Sequence, residues 1–437
     1  MVRILAVDAR ETARAAGSPI ENATCQGLVR CIVTSRPYLY FLIFSVEDEM
    51  TYERGYEKRH SRDKRTVQIT ITERCNLNCV YCYEHNKDCR SLPLECVKDI
   101  FSRHFAEARF REVEFDFHGG EPALAFDIIK PACEWLWSEP RSKPYMCFAT
   151  TNGALIHGDI QDWFRNNASR FWLSLSLDGT REMHNMNRSN SYDLIDFEFF
   201  KELWPTQTVK MTISPSTLPA VYDGVRHIHK LGFAVSSNLA HGMKWDRALL
   251  AVYRDQLQRL VDFYLENPQY APTRIVNFNL RKLGMNSIHP ELMREERKWC
   301  GTGDQLICYA VNGKTYPCQL FAPSSASLDV DAVSTKWDFS NADNFIDQEC
   351  ASCCLDGGCP TCYGMNYHET GNLFTRPKDM CGFLKCEAVA TSCLYGKMLL
   401  DAKRYPIVAN LPDADKLAYV RGIEIVQRSL ADEVLQY

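Results

Sequence analysis

Short apolar runs alternate with helix-length amphipathic stretches along the middle of this 437-residue chain. The runs are rich in β-branched and aromatic residues and end in polar or glycine-containing loops. They predict strands over Val67–Thr72, Val113–His118, Tyr145–Thr150, Phe171–Leu177, Val209–Ile213 and Ala234–Asn238. Helices are predicted over Leu92–Ala106, Ala123–Trp137, Asp193–Leu203, Ala220–Leu231 and Trp245–Glu266. Six such units predict an α/β fold, a partial (β/α)6 TIM-like barrel, because a full barrel of this type needs eight units.

The pattern changes on both sides of this region. The runs Leu28–Thr34 and Tyr38–Val46 predict an N-terminal hairpin, followed by a linker of mixed charge. Between Cys300 and Cys386 there are 10 cysteines among many Gly and Pro residues, with little periodicity. Such a segment lacks an apolar core of its own, so metal binding would supply its order. We therefore expect a hairpin and linker in 1–66, the barrel in 67–289, a Cys-rich, loop-rich metal-binding domain in 290–390, which the resemblance described below makes an iron–sulfur domain, and a helical segment in 391–437.

Composition narrows the function classes. A net charge of −5 gives no general affinity for nucleic acid. The strongest apolar run, Tyr38–Phe44, is far shorter than the roughly 20 residues that cross a bilayer. We expect a cytoplasmic protein with no nucleic-acid or membrane partner. Cytosolic thiols stay reduced, so the 20 cysteines indicate metal ligation better than a disulfide framework.

A cysteine loop follows the first predicted strand. Cys75, Cys79 and Cys82 have the spacing Cys-x3-Cys-x2-Cys. Three thiolates hold three corners of a 4Fe–4S cube and leave the fourth iron open, whereas a structural zinc site is closed by four ligands. The loop also lies at the carboxyl end of a parallel strand, where barrel active sites collect. The sequence therefore predicts a cluster with one reactive iron.

This loop resembles the defining motif of the radical S-adenosylmethionine (SAM) superfamily, including the aromatic Tyr81 before the last cysteine. The resemblance implies that the amino and carboxylate groups of SAM chelate the open iron. It also implies that an electron from the cluster cleaves SAM to a 5′-deoxyadenosyl radical.

The same resemblance implies a SAM pocket at the strand ends. The Gly-Gly-Glu motif after the second strand would meet the methionine amino group, Ser176 and Ser214 would meet ribose or carboxylate oxygens, and Arg188 would meet the carboxylate. Each residue alone is also compatible with a turn or a helix cap. The family often has His-Asp before the arginine, and this chain has His184-Asn185, so no salt bridge is implied there. The full expected set is Tyr81, Gly119, Gly120, Glu121, Thr151, Asn152, Ser174, Ser176, Asp178, Arg188, Ser214 and Leu239.

The C-terminal cysteines resemble the SPASM extension, which carries two auxiliary 4Fe–4S clusters and would bring the total to three. By this resemblance, cluster I is held by Cys300, Cys318 and Cys362, and cluster II by Cys350, Cys353, Cys359 and Cys381. Cys308 either completes cluster I or is a buried strand cysteine. The family usually separates its last central pair by three residues, and here Cys359 and Cys362 are separated by two. The remaining cysteines are expected to be bystanders (Cys354 and Cys386) or small buried hydrophobes (Cys25, Cys31, Cys89, Cys96, Cys133, Cys147 and Cys393).

These features predict a peptide-modifying oxidoreductase. The resemblance implies a ribosomally synthesised precursor peptide (RiPP) as substrate and a small electron donor such as flavodoxin or ferredoxin as partner. Two auxiliary clusters favour a carbon–carbon or thioether crosslink, because they offer an exit for the second electron. The alternative is a sulfatase-maturase-like, formylglycine-forming enzyme, but such relatives carry an Asp where this chain has Gln319, and Gln cannot act as a base. A non-catalytic metal scaffold is a third alternative.

Overall fold

The computed structural model describes residues 63–293, 298–325 and 337–437. Its strands are β1 Lys64–Thr72, β2 Glu112–Gly119, β3 Tyr145–Thr151, β4 Phe171–Leu175, β5 Thr208–Ile213, β6 Ala234–Leu239, β7 Leu306–Tyr309 and β8 Thr315–Tyr316. Its helices are α1 Leu94–Ala106, α2 Phe126–Trp137, α3 Asp159–Asn167, α4 Arg181–Asn187, α5 Phe197–Leu203, α6 Val221–Lys230, α7 Leu249–Glu266, α8 Leu280–Ile288, α9 Pro290–Met293, α10 Tyr363–Thr370, α11 Cys381–Leu400, α12 Pro406–Ala409 and α13 Asp413–Leu435. The predicted N-terminal hairpin lies outside the described residues.

The first six strands form a curved parallel array. Strands β4, β3, β2 and β1 lie side by side in that order, and β5 pairs with β6. A parallel bridge between Ser176 and Lys210 continues the array from the end of β4 to β5. On the other side of β1, β7 adds in parallel and β8 pairs with β7 in antiparallel fashion. This arrangement confirms the predicted partial barrel.

Alternation along the strands gives the sheet an apolar outer face and a polar inner face. In β1, Val67, Ile69 and Ile71 are fully buried in the apolar layer against the helices. The residues between them point to the opposite face, and those are the polar Gln68 and Thr70. The apolar face supplies the stability of the fold, and the polar face lines the inside of the barrel.

The helices cover the outer face of the sheet with an apolar stripe. In α1 the buried residues Val97, Ile100, Phe101 and His104 recur at helical spacing. The helix predicted over Asp193–Leu203 is divided, and only Phe197–Leu203 is α-helical. Asp196 ends the preceding turn and caps α5, its carboxylate accepting the backbone N–H of Phe199 at 3.1 Å. The short helices α3 and α4 were not predicted, because neither spans enough residues for a clear period.

Long helices close the far side of the barrel. Helix α11 packs against α7 and α13, and α8 packs against α13. Helices α8 and α13 approach closely through glycines, since a Cβ at Gly284 would lie 1.8 Å from the carbonyl oxygen of Ala418. The described part of the chain has no helix long and apolar enough to cross a membrane.

Where the structure describes it, the Cys-rich segment has little regular structure beyond β7, β8 and α10. The expectation that this segment lacks an apolar core was wrong, because it has a separate small one that includes Tyr316, Phe321, Phe339, Phe345 and Tyr363. Because β7 pairs with β1, this segment is joined directly to the edge of the barrel. The first strand begins at Lys64, inside the predicted linker.

Candidate functional site

The cysteine loop between β1 and α1 is anchored to α4. The backbone N–H of Val80 donates to the carbonyl of Asn187 at 3.0 Å, and the N–H of Asn78 donates to Ser189 Oγ at 2.9 Å. Burial raises the pKa of the Cys79 thiol to about 11. The negative charges of the nearby Cys75 and Cys82 thiolates also raise this pKa. Lys87 places its Nζ 3.5 Å from Cys82 Sγ. The three predicted ligands therefore converge beside a positive charge that suits bound thiolates.

The glycines after β2 are required by the packing of the chain itself. A Cβ at Gly119 would lie 2.1 Å from the carbonyl oxygen of Thr72, and one at Gly120 would lie 2.3 Å from that of Arg74. The N–H of Glu121 donates to the same Arg74 carbonyl at 2.8 Å. These contacts bring the end of β2 against the start of the cysteine loop.

Glu121 is a buried carboxylate that ties two strand ends together. It accepts hydrogen bonds from Thr151 Oγ1 at 2.7 Å, from the N–H of Asn152 at 2.8 Å and from the N–H of Ala123 at 3.1 Å. Burial raises its pKa. Asn152 in turn donates from Nδ2 to Asn76 Oδ1 in the cysteine loop at 2.8 Å. Glu121, Thr151 and Asn152 thus form one network with the loop.

Asp178 is a second buried carboxylate and organises the opposite side of the loop. It accepts from Tyr81 Oη at 2.5 Å, from Arg188 Nε at 2.9 Å and from the N–H of Thr212 at 2.8 Å. The guanidinium of Arg188 lies 5.4 Å from the centroid of the Tyr81 ring. Asp178 and Tyr81 raise the pKa of Arg188, so this arginine stays charged despite its burial.

The Asp178–Arg188 ion pair is a salt bridge that the sequence did not reveal. Sequence reasoning looked at the position after His184, where this chain has Asn185. In the structure Asn185 Oδ1 accepts the N–H of Tyr192 at 3.0 Å, and His184 Nε2 lies 3.0 Å from Ser191 Oγ. The acidic partner of Arg188 comes from the end of β4 instead.

The other predicted cofactor residues have local partners. Ser214 Oγ donates to Asn187 Oδ1 at 2.8 Å and lies 3.2 Å from Thr217 Oγ1, which makes it part of a turn before α6. The backbone of Ser176 donates to the Thr151 carbonyl at 3.0 Å. Ser174 is partly buried on β4, and Leu239 is buried at the end of β6. Their positions at the strand ends are as predicted, and a contact with cofactor stays a prediction.

The predicted ligands of cluster I lie together. The charges of Cys300 and Cys362 both act on the thiol of Cys318, and burial raises the pKa of Cys362 to about 11. Cys318 is buried beside the 3-10 turn Gln319–Phe321, and Cys362 precedes α10. These three cysteines come from three separate parts of the Cys-rich segment.

The predicted ligands of cluster II lie around one cavity of about 240 Å³ between β6 and the Cys-rich segment. Cys350, Cys353, Cys359 and Cys381 all line it. Burial raises the pKa of Cys359 to about 12. Lys378 donates to Cys350 Sγ at 3.4 Å. Cys362, a predicted ligand of cluster I, lines the same cavity. Soft thiol ligands around one cavity, with a cation beside them, fit an iron–sulfur cluster.

The geometry of the cysteine groups differs from that of a site for a single metal ion. Within 63–293, 298–325 and 337–437, no three His, Cys, Asp or Glu side chains converge on such a position. A cubane cluster makes a different demand, because each thiolate binds its own iron atom.

Cys308 is placed apart from the predicted cluster I cysteines. It lies in β7 with its thiol 3.5 Å from Thr70 Oγ1, and burial raises its pKa to about 12. The nearest ionisable groups that act on it are Asp116 and Glu84. This position favours the buried strand cysteine over the ligand.

The remaining cysteines are in part as predicted. Cys133, Cys147, Cys386 and Cys393 are buried, and Cys354 contacts Cys353 at the edge of cluster II. The prediction was wrong for Cys89 and Cys96, which are exposed. Cys96 lies in the first turn of α1 on the face away from the sheet, so the apolar stripe excludes it. Cys25 and Cys31 lie outside the described residues.

A polar group inside the barrel was missed by the sequence reasoning. Asp116 accepts from Gln68 Nε2 at 3.2 Å, and burial raises its pKa to about 6. Lys210, from β5, donates to Thr150 Oγ1 at 2.7 Å and acts on both Asp116 and His118. The sequence signal that could have predicted this group is the polar residue at every second position of β1, β2 and β5. We call Gln68, Asp116, His118, Thr150 and Lys210 the inner polar cluster.

Comparison with a family of known proteins agrees with this geometry. Residues 69–245 match the model of the Radical SAM superfamily. The match begins in β1 and ends after β6, so it covers the six-strand array and the cysteine loop.

Individual relatives match this chain over different lengths. The chain is 23% identical over 337 residues to a cysteine-type anaerobic sulfatase-maturating enzyme of Clostridium perfringens, covering 66% of this chain and 86% of that protein. It is 24% identical over 147 residues to the radical SAM cyclopropyl synthase TigE of Paramaledivibacter caminithermalis, covering 29% of this chain and 31% of that protein. The fold is similar to that of native anSMEcpe with bound AdoMet and Cp18Cys peptide, with a TM-score of 0.58, 17% identity and coverage of 78% of this chain and 99% of the other.

Proposed function

Residues 69–245 are a radical SAM domain, and on this basis we propose that the chain is an enzyme that abstracts a hydrogen atom from a peptide or protein substrate. The observation that carries the proposal is the convergence of Cys75, Cys79 and Cys82 beside the Asp178–Arg188 pair. Three thiolates would hold a 4Fe–4S cluster, which together with SAM supplies the 5′-deoxyadenosyl radical.

The protein groups around this loop match the charges of a zwitterionic cofactor. Arg188 offers a guanidinium whose unused donors can bind a carboxylate, and Asp178 and Tyr81 fix its plane. Glu121 offers a buried carboxylate for an ammonium group, in a position fixed by Thr151 and Asn152. These side chains bind and orient the cofactor.

Two further clusters are proposed in the Cys-rich segment. Cys300, Cys318 and Cys362 would hold cluster I, and Cys350, Cys353, Cys359 and Cys381 would hold cluster II. Support comes from their grouping and from the cavity that all four cluster II cysteines line. Clusters of this kind supply one-electron transfer, so a substrate that loses a hydrogen atom can also lose an electron. A small flavodoxin or ferredoxin would deliver the electron that starts the reaction.

The finer reaction that we propose is a side-chain crosslink in a ribosomally synthesised precursor peptide. The two auxiliary sites support it, because coupling of a substrate radical to a neighbouring group releases one more electron. The residue after Cys318 is Gln319, which cannot accept a proton there. Its N–H donates to Gln68 Oε1 at 3.3 Å, and its side chain bonds to Tyr83.

Formation of formylglycine is the second candidate. The observation that favours it is the similarity over 337 residues to a sulfatase-maturating enzyme. It would require a proton acceptor other than Gln319.

An anaerobic incubation distinguishes the two reactions. The reconstituted enzyme, SAM and dithionite are mixed with peptides encoded by short reading frames beside its gene, and the products are analysed by tandem mass spectrometry. We expect 5′-deoxyadenosine and a peptide that is two hydrogen atoms lighter, with a fragmentation gap between the linked residues. An aldehyde that reacts with a hydrazide probe would support formylglycine instead. A peptide of unchanged composition that takes up solvent deuterium would contradict both. Omission of SAM is the control.

A further inference from the structure

His118 carries an unused buried nitrogen at the mouth of the barrel. It is the last residue of β2 before the glycines, on the same face as Asp116. Its Nδ1 atom is shielded from solvent and has no hydrogen-bond partner among the described residues. An unpartnered polar atom in such a position costs free energy unless a ligand satisfies it.

The other ring nitrogen of His118 is held in place. Nε2 lies 3.2 Å from Tyr83 Oη, and the Tyr83 hydroxyl also bonds to the side chain of Gln319. Tyr83 therefore links His118 to the position that follows Cys318. When Nε2–H donates to Tyr83 Oη, the imidazole is oriented and Nδ1 is the unprotonated nitrogen, left to face a ligand.

The charges around His118 keep it able to accept a proton. Burial lowers its pKa, and Lys210 on β5 lowers it further, while Glu84 in the cysteine loop acts in the opposite direction. The neutral imidazole is therefore the form present near pH 7, and a neutral imidazole has one nitrogen free to accept.

Neighbouring groups are less suited to this task. The carboxylate of Asp116 is engaged by Gln68 and faces Lys210. The Glu84 carboxylate is buried and paired with Lys87 at 3.8 Å. Gln319 has no basic form. His118 alone combines a basic nitrogen with the lack of a partner among the residues that the structure describes here.

We propose that His118 is a catalytic residue that accepts the substrate proton during oxidation, a role that rests on the proposed function. The substrate C–H bond breaks first, and the hydrogen atom passes to the 5′-deoxyadenosyl radical. The carbon radical then loses one electron to an oxidised iron–sulfur cluster and one proton, from a substrate C–H, N–H, O–H or S–H group, to Nδ1. The electron pair left by that proton completes the new bond, and His118 releases the proton when the product leaves and solvent can reach Nδ1.

A matched pair of variants tests this role. His118→Phe keeps the ring volume and removes both nitrogens, and Tyr83→Phe breaks the same Tyr83–His118 hydrogen bond but leaves Nδ1 in place. Both are prepared with full iron content, and SAM and peptide affinities are measured by calorimetry. We expect unchanged SAM affinity in both. Peptide binding should weaken by about three- to ten-fold in His118→Phe alone, the effect of one lost hydrogen bond.

The amount of modified peptide formed per 5′-deoxyadenosine is the decisive readout. We expect His118→Phe to lower it by about 100-fold or more, the usual contribution of a general base, while 5′-deoxyadenosine still forms abortively. Tyr83→Phe should lower it by about tenfold or less. In the wild type the ratio should fall only when the pH drops below the ordinary histidine value of about 6.5, because the pKa of His118 is lowered.

Three results would overturn the proposal. One is a wild-type ratio in His118→Phe, and another is an equal loss in both variants, which would assign the effect to ring orientation. A third is loss of SAM affinity in His118→Phe, which would place the residue in the cofactor pocket. Failure of the proposed function looks different, since the wild-type enzyme would then form no modified peptide at all.

Discussion

The two cysteine regions of this protein are ordered by different means. The loop of Cys75, Cys79 and Cys82 is anchored by backbone and carboxylate hydrogen bonds to the ends of β2, β3 and β4. In its described residues, the Cys-rich segment has two short strands, α10, the start of α11 and a small aromatic core. Five of its cysteines line one cavity, namely the four cluster II cysteines and Cys362.

The difference shows where each region obtains its stability. The loop is pre-formed by the barrel, so a bound cluster would add chemistry to a site that already exists. The small aromatic core orders part of the Cys-rich segment, and we expect metal binding to supply further order, because metal binding to such segments is part of their folding free energy.

Replacing the two cysteine sets in turn is the strongest test of this difference in stability between the two regions. The variant Cys75→Ala/Cys79→Ala/Cys82→Ala should lose all SAM cleavage, keep its auxiliary iron and show an unchanged pattern of proteolysis. The variant Cys350→Ala/Cys353→Ala/Cys359→Ala should become sensitive to protease within 337–380. Iron and sulfide analysis, 5′-deoxyadenosine assays and limited proteolysis measure the outcomes. Equal protease resistance of the two variants would refute the contrast.

Breaking the Asp178–Arg188 ion pair should have a smaller effect, on the stability of the barrel and on SAM binding. Its side chains are 0% and 11% exposed, so Arg188→Ala leaves a buried carboxylate unpaired and should lower the free energy of unfolding by about 3–5 kcal/mol. SAM affinity should fall as well. The control is Arg181→Ala, which breaks a pair whose side chains are 56% and 58% exposed and should cost about 0–1 kcal/mol. Denaturant titration and calorimetry measure both, and similar costs would show that the pair does not stabilise the site.

Replacing Gln319, which lies at the junction of the two regions, should have the smallest effect on catalysis. Gln319→Ala removes one hydrogen bond to Tyr83, so we expect KM to rise by about tenfold or less with nearly unchanged kcat. Steady-state kinetics with the modified peptide as product provide the measurement. Complete loss of turnover with intact clusters would instead revive a maturase-like role for this position.

Much of the barrel could be predicted because its signal is local. Apolar alternation within each strand located β1 to β6 to within a few residues, and the order of the motifs placed the cysteine loop at the right edge. The family resemblance assigned Gly119 and Gly120 to ligand contact. In the structure both glycines admit the backbone of the cysteine loop, which is a contact between distant parts of the chain.

The parts that could not be predicted depend on tertiary pairing. Nothing in the spacing of Asp178 and Arg188 states that they form an ion pair, because the turn into α4 decides their approach. The inner polar cluster combines residues of β1, β2, β3 and β5, and only barrel closure brings Lys210 near Asp116. Cys308 was left open for a similar reason, since the pairing of β7 with β1 determines which way its thiol points.

Helix α11 begins at Cys381, a proposed ligand of cluster II, and continues for 20 residues into the layer formed with α7 and α13. The order of the first turn of α11 would therefore depend on whether iron is bound at cluster II. A chain that has not received its iron would expose the first turn of this helix to proteases, and a chain that has received it would be protected. Protease resistance of this turn would thus report whether cluster II is occupied.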